Sequence, residues 1–188
     1  MLYDADIRDG LCLFLETQYG KVRFFDELVI GRSRADLVMV TNTDLIGIEI
    51  KSDADTYTRL PGQIKDYDRF FDLNMIVVGS SHAARVSEHV PEDWGIIVVN
   101  EEGGKLDQYE LRRPKPSVKS KTKQQLKLLW RRELSHIQKK NKLFKYPQKS
   151  RSFVEKYILE SVEAVKLKTD MIEELFERDY TSLKNKRP

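Results

Sequence analysis

Apolar residues along this chain change period in a regular way. From Asp4 to Gln18, Ile7, Leu11, Phe14 and Leu15 fall on one side of a helix. Lys21 to Ile30, Ala35 to Val40 and Leu45 to Lys51 then read as three strands in a meander. Helical spacing returns near Leu60, with Ile64, Tyr67 and Phe71 on the apolar face. Met75 to Gly79 is a short continuous apolar run, fit for a strand buried on both faces. A helix from Ser81 or His82 to Val90 follows, Pro91 interrupts, and Trp94 to Val99 is a further buried strand. The order is αβββαβαβ, an α/β arrangement around a mixed sheet.

After the turn-like Glu101-Glu102-Gly103-Gly104, Lys105 to Leu111 adds an edge strand, and the prolines of 112–117 mark a linker. Lys121 to Asn141 repeats apolar residues at Leu126, Leu129, Trp130, Leu134 and Ile137. Ser152 to Tyr180 does so at Val154, Ile158, Val162, Val165, Ile172 and Phe176. The sequence therefore divides into a core over 1–111 and an extension of two amphipathic helices over 112–188. Those helices could pack on each other, on the core, or on a second copy of the chain as a homodimer.

Within the core, the third strand carries Glu49-Ile50-Lys51. Side chains alternate along a strand, so Glu49 and Lys51 point one way while Ile46, Ile48 and Ile50 point the other. If Asn42-Thr43 is a two-residue hairpin turn, Thr41 pairs with Asp44 and, counting outward, Asp36 with Glu49. Opposed β-carbons lie roughly 5 Å apart, which places the two carboxylates within reach of one cation. Carboxylates that close repel unless a cation lies between them, and Mg²⁺ takes hard oxygen ligands of this kind.

Asp36 followed by Glu49-Ile50-Lys51 at the end of the next strand resembles the PD-(D/E)XK nuclease superfamily, with Ala35 where the family has its nominal Pro. Gln63 and Tyr67 stand at the Q-x-x-x-Y spacing of its RecB-like members, and i and i+4 share a helix face. The stretch from Glu49 to Pro61 looks like that of small bacterial and phage proteins within the superfamily. The resemblance covers residues 4 to 100 and implies a restriction-endonuclease-like αβββαβ core. It also implies a metal-dependent nuclease acting on DNA phosphodiester bonds. Asp36, Glu49 and the Ile50 carbonyl would bind Mg²⁺ or Mn²⁺, with Glu27, and more weakly Glu16, as a further acid. Lys51 would orient the attacking water, while Gln63 and Tyr67 would position the backbone. Asp53 and Asp55 would serve either as outer ligands or as cap and loop residues. The alternative is a catalytically silent nucleic-acid-binding module, or a phage or bacterial regulatory interaction protein on the same fold.

Charge changes the picture of the C-terminal part. The chain totals +3, yet Arg112 to Arg151 holds fifteen Lys or Arg against one acid, Glu133, a local +14 that leaves −11 elsewhere. Such a block suits a polyanion, DNA first and RNA as the alternative, or else the protein's own acidic part. Arg34, Arg59, Lys121, Lys123, Lys127, Arg131, Arg132, Lys139 and Lys140 are the expected phosphate contacts. Trp130 and Phe144 could stack on bases or serve as core. No apolar run approaches the roughly 20 residues of a membrane span, and the N-terminus lacks a signal peptide's pattern, so a cytoplasmic protein is expected. Cys12 is read as core packing, and His82, His89 and His136 lack metal-ligand spacing.

Overall fold

A computed structural model describes residues 4–102 and 105–178. Helix α1 (Asp4–Tyr19) precedes strands β1 (Arg23–Ile30), β2 (Ser33–Val40) and β3 (Leu45–Lys51). Helix α2 (Leu60–Phe70) then leads to β4 (Leu73–Gly79). A short helix α3 (Ser80–Ala83) is followed by β5 (Gly95–Glu102) and β6 (Lys105–Arg112). The six strands form one sheet in sequence order. Pairs β1/β2, β2/β3 and β5/β6 are antiparallel, while β3/β4 and β4/β5 are parallel, giving a mixed sheet.

Strand alternation sorts the core into two layers. Ile46, Ile48, Ile50, Met75, Val77, Ile97 and Val99 face α1, whose Ile7, Leu11 and Leu15 recur every four residues as one stripe. Half-buried Cys12 packs at this layer's edge. On the other face Phe25, Val38, Val40, Ile76, Val78 and Val98 meet α2 and the C-terminal helices in one cluster. That cluster includes Leu126, Leu134, Ile158, Leu167 and Met171, so it spans both sides of residue 112. β4 is thus covered on both faces, as its unbroken apolar run predicts.

The C-terminal part departs from two long helices. α4 (Thr122–Gln125) runs into a 3-10 turn over Leu126–Leu128, and the chain extends through Leu129 and Trp130 before α5 (Arg131–Lys140). Remote arginines take the carbonyls that a continuous helix would use: Arg178 donates to Leu128 O at 2.7 Å and Arg151 to Leu129 O at 2.5 Å. Trp130 N donates to Glu133 Oε2 at 2.6 Å, closing a capping arrangement at the start of α5. The second stretch is also two helices, α6 (Arg151–Ser161) and α7 (Ala164–Phe176). Between them Glu163 caps α7, its carboxylate accepting from the amides of Val165 and Lys166 at 3.0 Å each. The expected end at Tyr180 and the turn glycines 103 and 104 lie outside the described residues.

The helix expected up to Val90 shortens to α3 and a 3-10 turn over Val86–Glu88. Tyr57 stacks on His89 at 4.1 Å between centroids and meets His82 edge-on at 5.0 Å, so aromatic packing replaces helical turns there. The proline-marked segment after β6 is docked by its backbone. Lys115 N donates to Asp93 O at 2.8 Å and Ser117 N to Asp72 O at 2.7 Å. Among the described residues no helix is long and apolar enough to cross a membrane.

Candidate active site

The β2/β3 hairpin has the register that its turn dictates. Thr41 N donates to Asp44 O at 3.0 Å, and Val40 pairs with Leu45, Met39 with Ile46, Val38 with Gly47 and Leu37 with Ile48. One step beyond, Asp36 reaches across with its side chain: Oδ2 accepts the Ile50 amide at 2.9 Å. The next two outward-facing residues of β3 are Glu49 and Lys51. An exposed amphipathic strand would leave them solvated, yet Glu49 is 0% and Lys51 4% exposed, because α2 lies across this face.

Burial of Glu49 is compensated by three donors. Lys51 Nζ lies 2.5 Å from Oε1, Gln63 Nε2 donates to the same oxygen at 2.5 Å, and the Tyr67 hydroxyl donates to Oε2 at 2.8 Å. Gln63 and Tyr67 stand one helical turn apart on α2, which aims both at one carboxylate. The Tyr67 hydroxyl also accepts the Asp36 amide at 3.2 Å. Burial first, then the charges of Glu49 and Asp36, push this hydroxyl well above its ordinary pKa, so it stays a proton donor.

These groups open into a cleft of about 920 Å³ between the β1/β2 turn and α2. Asp36, Glu49, Ile50, Lys51 and Gln63 line it, while Tyr67 supports it from the core. The expected Arg34 and Arg59 stand on its wall, joined by Arg32, Lys65 and Arg69, which sequence reading missed. For Arg69 the missed signal is helical: from the N-cap Arg59, residues Gln63, Asp66 and Arg69 recur at three- and four-residue steps along one face of α2. Asp66 ties the two walls together, its Oδ2 accepting Arg32 N at 3.1 Å and Ser33 Oγ at 2.8 Å. Gly31 permits this approach, since its φ is +66° and a β-carbon there would lie 2.6 Å from Asp66 Oδ1.

The remaining expected residues lie elsewhere. Glu27, at φ 54°, stands exposed on β1 and pairs with Arg34 at 3.3 Å rather than facing the cleft. Glu16 is exposed on α1. Asp55 borders the cleft, with Oδ2 accepting Ser52 N at 2.9 Å and Ser52 Oγ at 2.6 Å, whereas Asp53 accepts Ser81 Oγ at 2.5 Å. Lys121, Lys123, Lys127, Lys139 and Lys140 are exposed outside the cleft. Part of the basic block meets the protein's own acids: Lys119 pairs with Asp68 at 2.8 Å, and Lys140 with Asp170 at 2.7 Å and with Glu173. Arg131 holds the carbonyls of Tyr146 and Lys149 at 3.0 Å each, and Arg132 lies 4.6 Å over the Trp130 ring. Trp130 also carries the Arg178 guanidinium at 4.4 Å, so its ring serves the protein's own cations.

The sequence profile of the family described as bacteriophage P4 protein cII matches residues 6–186, through both the sheet and the C-terminal helices. The chain belongs to this family. Protein cII of Enterobacteria phage P4 is 30% identical over 101 residues, covering 52% of this chain and 38% of that protein. The chain therefore aligns with well under half the length of this curated relative. Among solved structures, SfsA of Pyrococcus furiosus in complex with Ca²⁺ aligns at 14% identity with a TM-score of 0.37. That alignment covers 59% of this chain and 62% of that one.

Proposed function

We propose that the cleft binds a nucleic-acid backbone, DNA first, and hydrolyses a phosphodiester bond with the aid of Mg²⁺ or Mn²⁺. The observation that carries this reading is the convergence of Asp36, Glu49 and Lys51 in one cleft walled by Arg32, Arg34, Arg59, Lys65 and Arg69. Among the described residues no three His, Cys, Asp or Glu side chains gather as a metal cluster. Two carboxylates and a backbone carbonyl at the cleft are the hard oxygen donors of an ion that is content with one or two carboxylates plus water and phosphate oxygens, as Mg²⁺ is. Asp36, Glu49 and the Ile50 carbonyl would hold it, and when bound it supplies positive charge to a phosphate oxygen and acidifies water. The chain's own groups do the rest. Lys51, buried beside Glu49, presents its ammonium toward an attacking water and offsets charge growing on the phosphate. Tyr67 and Gln63 fix the Glu49 carboxylate, and the wall arginines hold phosphates by paired donors.

The resemblance to PD-(D/E)XK nucleases points the same way. The test is cleavage of single-stranded, duplex and branched DNA, and of RNA, in Mg²⁺ or Mn²⁺. Asp36→Ala, Glu49→Ala and Lys51→Ala should each abolish product while circular dichroism stays native. Full activity in Lys51→Ala protein would sink the assignment.

One observation favours a second reading, a nucleic-acid-binding or regulatory module without turnover. Glu49 is already saturated by Lys51, Gln63 and Tyr67, an arrangement that satisfies a buried carboxylate without any ion. Binding that persists in EDTA, with no product in either metal, would select it.

A further inference from the structure

We propose that the connection between α5 and α6 is a stacking platform for single-stranded nucleic acid, on which Phe144 presents its ring to a base and Tyr146 and Phe153 brace it. Phe144 is 67% and Phe153 39% exposed, so large apolar rings stand at the surface. Tyr146 is the hub: Phe144, Phe153 and Tyr157 meet its ring edge-on at 64°, 80° and 88°, with centroids 4.8, 5.0 and 5.1 Å away. The rings are held from beneath. Buried Gln138 donates through Nε2 to Phe144 O at 2.9 Å, its backbone carbonyl accepts Leu143 N at 2.8 Å, and Arg131 grips Tyr146 O at 3.0 Å. A loop fixed at three backbone points presents its aromatics with little ordering left to do on binding.

Charge selects the occupant. Residues 134–154 contain six Lys or Arg and no acid. Lys149 lies 5.4 Å over the Phe153 ring and Tyr157 stacks parallel to it at 6.4 Å, so Phe153 serves the protein's own groups and exposed Phe144 is the ring offered to a base. Aromatic faces set among lysines match a strand whose bases are open to stack and whose phosphates are negative. A duplex keeps its bases paired and offers no face. A twofold contact between two copies would set like charge on like, which disfavours self-association through this surface.

The platform is joined to the cleft by consecutive contacts. Lys121 N donates to the carbonyl of cleft-lining Arg69 at 3.1 Å, and Arg151, at the head of α6, donates to Lys127 O at 2.9 Å. Exposed Lys121, Lys123 and Lys127 lie along the chain between these two contacts. The platform itself does not depend on turnover in the cleft.

The experiment is fluorescence anisotropy of labelled oligothymidylate and of a blunt duplex, with the full chain in EDTA, so that a failure of cleavage leaves the result readable. Phe144→Ala should weaken oligothymidylate binding about fivefold to 150-fold, the cost of one lost base stack, and leave duplex binding unchanged. Phe144→Trp should retain parental affinity. Parental affinity in Phe144→Ala, or equal losses on both DNAs, would overturn the proposal. So would sedimentation showing a dimer that Phe144→Ala dissociates, which would make the surface a self-association contact.

Discussion

The Tyr67 hydroxyl meets three polar groups at once: Glu49 Oε2 at 2.8 Å, the Asp36 amide at 3.2 Å and Ile48 O at 3.2 Å. It therefore joins the two acids of the cleft to one helix through a buried oxygen. Deleting it strands a buried carboxylate oxygen and an amide, a loss of about 1–3 kcal/mol. Tyr67→Phe should lower stability by that amount in urea unfolding, with the m-value unchanged. An unmoved midpoint would mean that the hydroxyl holds nothing in place. The same reasoning explains why Gln63 and Lys51 share one oxygen of Glu49. A carboxylate withdrawn from water needs every lone pair answered.

At the scale of elements, Gly47 decides how closely α2 can lie on β3. A β-carbon there would collide with the Phe71 ring and sit 2.7 Å from Tyr67 Cδ1. Gly47→Ala should cost about 1–3 kcal/mol by overpacking, read as a lowered thermal midpoint. It should also displace Tyr67 from Glu49. A variant as stable as the parent would show that α2 can retreat freely. Elements governed by local periodicity were legible in the sequence. α1, α2 and the strands follow their apolar spacing, the β2/β3 register from Val40 and Leu45 out to Leu37 and Ile48 follows from a two-residue turn, and Gln63 with Tyr67 follows from i,i+4 geometry. What was hidden is set by residues far away. The break at Leu128 to Trp130 is made by Arg151 and by Arg178, fifty positions beyond Leu128. Arg32 entered the cleft through the Asp66 tie, which no periodicity encodes. The burial of Glu49 and Lys51 likewise follows from where α2 rests, not from the strand's own pattern.

Across the whole molecule, acids of one part hold bases of another. Asp170 on α7 takes Lys140 at 2.7 Å, Asn141 at 2.6 Å and Lys166 at 3.2 Å. Burial alone would push its carboxyl up, but these donors outweigh it and hold the group below its ordinary 3.8. The folded carboxyl is the stronger acid, so its stabilisation is complete above the unfolded value and fades as pH falls through the folded one. Parent protein should exceed Asp170→Asn in thermal midpoint near neutrality, with the gap closing as pH falls through and below the ordinary carboxyl value of 3.8. A gap independent of pH would remove Asp170 from the acid response.

The apolar cluster that joins Phe25, Val38, Ile76 and Val98 to Leu134, Ile158 and Met171 also has a consequence in time. Synthesis proceeds from the N-terminus at about 5–20 residues per second, so β1 to β5 emerge on the order of ten seconds before α7 is complete. During that interval one side of the sheet has α2 over it and lacks the remaining helices. The nascent chain must carry this uncovered face, with its aggregation risk, until its last third arrives. Damage to α4–α7 would therefore be felt first as lost soluble yield, before any change in chemistry could be measured.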